Sequence, residues 1–115
     1  MGFFAADREK RTVADLDSRE FETFLRANEL AYVEFYMPGC SHCRCMAPLF
    51  LSLAIDLEDR VGFAKVNAPA NLEVAYRYGV SVAPTYIVFA RGEAVDKVVG
   101  EASIEVLKGK LLSRI

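Results

Sequence analysis

The chain predicts an α/β domain, a central mixed β-sheet flanked by helices in the order β-α-β-α-β-α-β-β-α. Three observations carry this. Short apolar runs of strand length alternate with stretches of helical periodicity, which implies parallel strands joined by helices. Two late strand-like runs are separated only by Arg91-Gly92, a hairpin signal that makes the sheet mixed. The length of 115 residues, with 53% hydrophobic and 26% charged side chains, suffices for one core and is short for two.

Residues 1–11 read as a leader, charged from Asp7 to Arg11, and residues 12–115 as the domain. A short strand is expected near Thr12 to Leu16. A helix follows, capped by Asp17 or Ser18, with Glu20 three residues beyond Asp17 and Phe21, Phe24, Leu25 and Leu30 on its apolar face. Ala31 to Tyr36 forms the second strand. From about Cys40 to Asp59 the spacing of Met46, Leu49, Phe50, Leu53, Ile55 and Leu57 predicts a long helix, bent at Pro48, whose ring removes a hydrogen bond and crowds the preceding turn. Val61 to Val66 is a third strand, and Asn71 to Tyr78 a helix stopped by Gly79. Thr85 to Ala90 has the near-continuous apolarity of a buried strand. Ala94 to Val99 returns as an antiparallel edge strand, and Ser103 caps a last helix carrying Ile104, Leu107, Leu111 and Leu112.

The bulk numbers also exclude functions. A net charge of −2 argues against a polyanion-binding surface, so nucleic acid is not an expected partner. No apolar run approaches the roughly 18 residues of a membrane span, and the first residues lack the charged-then-apolar order of an export signal. Ala6 stands where a myristoylation motif needs Ser or Thr. A cytoplasmic monomer is the expectation. The three cysteines fall within six residues, unlike the spread pairs of a disulfide-stapled scaffold, and point to catalysis or metal binding.

The cluster is Gly39-Cys40-Ser41-His42-Cys43, where the second strand runs into the long helix. Positions three apart on a helix share a face with Cα atoms about 5 Å apart, inside the disulfide window of about 4.4–6.8 Å. Cys40 and Cys43 can therefore pair. Cys40 sits at the helix start, where unpaired N–H groups and the dipole favour a thiolate, which makes it the candidate nucleophile. Cys43, one turn inside, is the candidate resolving thiol. Cys45 is turned about 200° from Cys43, and is expected to pack in the core as free cysteines often do.

These residues resemble the thioredoxin family over essentially the whole chain from about Thr12. The dithiol follows a strand carrying an acid six residues before its first cysteine, Glu34, and precedes Pro48 by five. Lys65-Val66-Asn67 falls on the third strand, Val82-Ala83-Pro84-Thr85 resembles the family's cis-proline loop, and Gly92 and Gly100 match its hairpin and final-loop glycines. Three features depart from the pattern. Gly39 replaces the usual tryptophan, Ser41-His42 the usual Gly-Pro, and Glu34 the commoner Asp.

The resemblance implies a thioredoxin fold and a thiol–disulfide oxidoreductase that needs no bound cofactor. It would exchange disulfides with protein substrates and draw electrons from a separate reductase or partner dithiol. By the same analogy Glu34 points beneath the dithiol, where a buried carboxyl shuttles the Cys43 proton, and Lys65 is its charge partner. A cis Ala83-Pro84 bond would expose the Ala83 backbone to an extended substrate, with Gly39, Ser41, Val99 and Gly100 completing the docking surface. A protonated His42 beside Cys40 would stabilise its thiolate. Lowering a thiol from about 8.5 to about 7 raises the thiolate fraction at pH 7 roughly fifteenfold, while nucleophilicity falls about fivefold, so attack gains only about threefold. The larger effect is on the stability of the reduced form, which makes a more oxidising disulfide the expectation. Two rival readings stand beside this one. Cys40, His42, Cys43 and Cys45 could be ligands of zinc or an iron–sulfur centre, although one short helical segment cannot converge all four, or the dithiol could be vestigial in a binding module.

Overall fold

The computed structural model describes residues 12–115; the charged leader lies outside them. Among the described residues the elements are β1 (Val13–Leu16), α1 (Ser18–Ala27), β2 (Leu30–Tyr36), α2 (Ser41–Leu57), β3 (Gly62–Asn67), α3 (Leu72–Arg77), β4 (Thr85–Ala90), β5 (Glu93–Val99) and α4 (Ile104–Leu112). They build one five-stranded sheet in the order β1-β3-β2-β4-β5. The α/β architecture with a mixed sheet is the one expected.

Local chemistry sets the element ends. Asp17, rather than Ser18, caps α1: its carboxylate accepts from the Arg19 and Glu20 N–H groups at 2.9 Å each, while Glu20 reaches back to the Asp17 N–H at 3.0 Å. Leu30 belongs to β2 and not to the helix face, because α1 ends at Ala27. Ser103 caps α4 through the Val106 N–H at 3.2 Å. The 17-residue α2 runs on through Pro48, which donates no N–H to the turn before it. Its buried face is Cys43, Met46, Phe50, Leu53, Ala54 and Leu57. Ile55 falls on the opposite side and is exposed, as is Leu112 at the end of α4.

β1 and β2 both run parallel to β3, and β4 runs antiparallel to β2. The antiparallel sense thus enters one strand before the hairpin. β4 starts at the sheet end where β3 finishes, since Tyr36 pairs with Asn67 and Phe35 with Thr85. That end is also where β2 delivers Cys40.

Alternation along the strands divides the core. On one face Tyr32, Phe63, Tyr86 and Val88 meet α2 and α4 through Phe50, Leu53, Leu107 and Leu111. Phe50 is the hub, with ring centroids 5.7, 5.4 and 5.2 Å from Tyr32, Phe63 and Tyr86. The Tyr32 hydroxyl donates to the Leu107 carbonyl at 2.9 Å and ties α4 to the sheet. On the other face Phe21, Leu25, Val33, Phe35, Ile87 and Phe89 pack beneath α1 and α3. No helix among the described residues is long and apolar enough to cross a membrane.

Two glycines mark opposite constraints. A Cβ at Gly62 would lie 2.4 Å from Cγ of Asn28, a side chain held by its own bond to the Phe24 carbonyl at 2.9 Å. Gly109 lies inside α4 with nothing within 4 Å of a built Cβ. Gly62→Ala is expected to lower the free energy of denaturant unfolding by about 1–3 kcal/mol, and Gly109→Ala to raise it by about 0.5–1 kcal/mol; reversed signs would contradict this placement.

Candidate active site

Met37-Pro38-Gly39 turns the chain from β2 into α2, with the Cys40 N–H donating to the Met37 carbonyl at 3.2 Å. Gly39 takes φ +78°, a region open to glycine at no steric cost. Cys40 is then delivered as the N-cap of α2. Its sulfur accepts the Cys43 N–H at 3.3 Å, doing what a Ser or Asp oxygen does at other helix starts.

The two thiols are driven apart electrostatically. The Cys43 thiol, as donor to the Cys40 sulfur, holds Cys40 below the usual thiol range. The Cys43 and His42 N–H groups and the His42 charge act the same way, against burial. Burial pushes Cys43 up to about 11, aided by the proton it donates to Cys40 and by the charges of Cys40 and Glu34; a backbone hydrogen bond at Met37 opposes. One turn of helix thus carries a thiol primed to ionise and a thiol held protonated.

Beneath them lies Glu34, only 4% exposed and on the face of β2 that meets α2. Burial raises its carboxyl above the usual range, while the Tyr86 hydroxyl and the Lys65 charge pull it back. Lys65 stands directly across from Glu34 in the parallel β2–β3 register, with its ammonium 5.4 Å from the centroid of the Tyr36 ring. The Tyr86 hydroxyl donates to Oε2 of Glu34 at 2.9 Å. Tyr86 escaped the sequence reading, although its register was available: once β4 is antiparallel, Tyr86 faces Glu34 across the pair.

The Ala83-Pro84 peptide bond is cis. Cys40 Sγ lies 3.8 Å from the Ala83 carbonyl oxygen, to which a protonated thiol donates. The Gly100 N–H donates to the Pro84 carbonyl at 2.7 Å, and Val99 pairs with Thr85, so the end of β5 is fastened to the same loop. Gly39, Ser41 and Val99 are exposed, Ala83 and Gly100 half-buried and Pro84 buried. With exposed Met37 and Val82 they form an apolar collar around Cys40.

His42 projects from this rim, 67% exposed, with Nδ1 in contact with Oε2 of Glu101. That hydrogen bond, the Glu101 charge and the Cys40 charge raise the imidazole above its usual value, against burial. No spacing in the sequence links residues 42 and 101. Cys45 corrects an expectation, since it is exposed rather than packed in the core. The 200° turn from Cys43 carries it to the solvent face of α2, among exposed Arg44, Ala47 and Pro48.

The raised Glu34 carboxyl has a stability consequence. A carboxyl raised in the folded state stabilises the protein when protonated, and that contribution is lost as pH climbs through its folded value. Glu34→Gln is therefore expected to melt at a higher temperature than the parent at pH 7, with the difference shrinking below the ordinary carboxylate range; a difference independent of pH would count against a raised carboxyl.

Comparison with known proteins agrees with this geometry. The thioredoxin family model matches residues 12–113. A thioredoxin domain-containing protein of Theileria parva is 36% identical over 97 residues, covering 80% of this chain and 44% of that protein. Thioredoxin 1 of Nostoc sp. is 36% identical over 84 residues, covering 73% of this chain and 78% of its own length. The solved structure of a mutant thioredoxin from Halobacterium salinarum superposes with a TM-score of 0.83 at 28% identity, over 90% of this chain and 91% of that one. Of several curated relatives that it matches, the chain spans half the length or less. With a cysteine capping the helix after β2, a second cysteine one turn on and a cis proline against the first, this chain belongs to the thioredoxin family.

Proposed function

We propose that this chain is a thiol–disulfide oxidoreductase that exchanges disulfides with protein substrates through Cys40 and Cys43. The observation that carries the reading is the division of labour within one helical turn: a sulfur that accepts the Cys43 N–H at 3.3 Å and ionises readily, beside a buried thiol pushed up to about 11. Cys40 attacks a substrate disulfide and forms a mixed disulfide. Cys43 gives its proton to Glu34 and displaces the substrate from Cys40. The apolar collar and the Ala83 backbone receive the substrate segment, and a separate reductase or partner dithiol restores the dithiol. Family membership supports this reading.

A metal-binding role is not favoured. Cys40 and Cys43 are buried and Cys45 is exposed on another side of the helix, and among the described residues no three His, Cys, Asp or Glu side chains gather as a ligand set. A binding module with an idle dithiol predicts partner capture that survives loss of both thiols.

In an insulin-reduction assay Cys40→Ser is expected to abolish turnover, and Cys43→Ser to abolish it while accumulating a mixed disulfide through Cys40. Turnover retained by Cys40→Ser would overturn the reading. The His42 charge stabilises the reduced site more than the oxidised one, so His42→Pro is expected to move the midpoint potential of the dithiol to a more negative value. A midpoint for His42→Pro at or above the parent value, in a redox titration at pH 7, would contradict the tuning role.

A further inference from the structure

Tyr86 is a buried hydroxyl that the exchange steps above leave without a task. Its ring is fully buried, with centroids 6.4 Å from Tyr32 and 5.2 Å from Phe50, and its oxygen lies 2.9 Å from Oε2 of Glu34. Four titratable groups surround that carboxyl: Tyr36 on its own strand, Lys65 on β3, Tyr86 on β4 and Cys43 on α2. Lys65 acts as a charge across the register, with its ammonium over the Tyr36 ring. Tyr86 alone of the four holds one carboxylate oxygen by a directed hydrogen bond.

We propose that Tyr86 is a positioning residue for the resolving half of the exchange, its hydroxyl fixing Oε2 of Glu34 so that the other carboxylate oxygen receives the Cys43 proton. A carboxylate has acceptor sites on both oxygens, and a donor on one restricts rotation of the group without consuming the other. Because a phenol donates to the charged form, it also keeps the buried carboxyl ionised at lower pH than burial alone allows. The step balances. The Cys43 S–H bond breaks as its proton passes to Glu34, and the electron pair left on the Cys43 sulfur forms the bond to Cys40. The bond between Cys40 and the partner sulfur then breaks, and the partner leaves as a thiolate protonated by solvent. The two cysteines are oxidised by two electrons and the partner disulfide is reduced by two.

The inference rests on the reading of Glu34 as proton acceptor, and the test separates the two. The reduced protein is mixed with 5,5′-dithiobis(2-nitrobenzoate) in a stopped-flow instrument across the pH range, in a Cys45→Ser background that removes the exposed third thiol. The first release of thionitrobenzoate reports attack by Cys40, and the second reports resolution by Cys43. Tyr86→Phe, which keeps the ring and its packing, is expected to leave the first phase within about twofold. It should move the ascending limb of the second phase up by about one pH unit, as loss of a hydrogen bond to a charged group implies, which is roughly a tenfold loss of rate below the parent midpoint. Glu34→Gln should flatten that limb, and adding Tyr86→Phe to it should change nothing more. A Tyr86→Phe profile that overlies the parent, or that drops equally in both phases at every pH, while Glu34→Gln still flattens the limb, overturns the role of Tyr86 alone. A profile unchanged by Glu34→Gln removes the proton acceptor itself, and the proposal for Tyr86 with it.

Discussion

Cys40 occupies the N-cap of α2, so the first turn of the longest described helix is closed by a sulfur in place of the usual oxygen. An N-cap must accept from N–H groups that have no partner inside the helix, and an anion meets that demand better than a neutral thiol. The need of the helix for an acceptor and the need of a thiolate for donors are thereby met at one atom. Its position in turn depends on the Met37-Pro38-Gly39 turn, which delivers Cys40 from β2 with its N–H bonded to the Met37 carbonyl.

The same helical turn creates the opposite environment three residues later. Cys43 points into the buried face with Met46 and Phe50 and comes within the field of Glu34, so its thiol resists ionisation until a proton acceptor is at hand. Two chemically identical side chains, both buried, are driven apart by their surroundings: N–H and thiol donors face Cys40, while an apolar interior and the charges of Cys40 and Glu34 face Cys43. A buried carboxyl is costly unless it is partnered, and here the partners are a phenol on β4 and an ammonium on β3. The buried carboxyl and the aromatic core share Tyr86, whose ring packs against Phe50 while its hydroxyl holds Glu34.

The rim is built on different physics. The His42–Glu101 pair is largely exposed to solvent, where water screens its field, so its effect on Cys40 is a modest tuning laid over the N-cap geometry. The apolar collar of Met37, Val82 and Val99 is exposed around the Cys40 sulfur. Hydrogen bonds from Gly100 to Pro84 and from Thr85 to Val82, at 2.7 and 2.6 Å, hold the collar's loop in place without side chains that would block approach.

Much of this was legible in the chain itself because it depends on neighbours in sequence. Periodicity located the strands and helices, the Asp17–Glu20 pair marked a helix start, and two cysteines three apart at a strand-to-helix junction marked the paired sulfurs, since helical spacing alone brings them together. Alternation along β2 placed Glu34 on the face of Tyr32. What remained was decided by contacts between distant segments. β4 runs antiparallel to β2, which brings Ala83-Pro84 to Cys40 and Tyr86 to Glu34. The loop before α4 sets Glu101 against His42. Solvent, not the core, covers the side of α2 that carries Cys45. Local spacing fixes angles around one helix or along one strand, but which strand lies beside which, and which helix face meets the sheet, follows from burying both faces of that sheet at once.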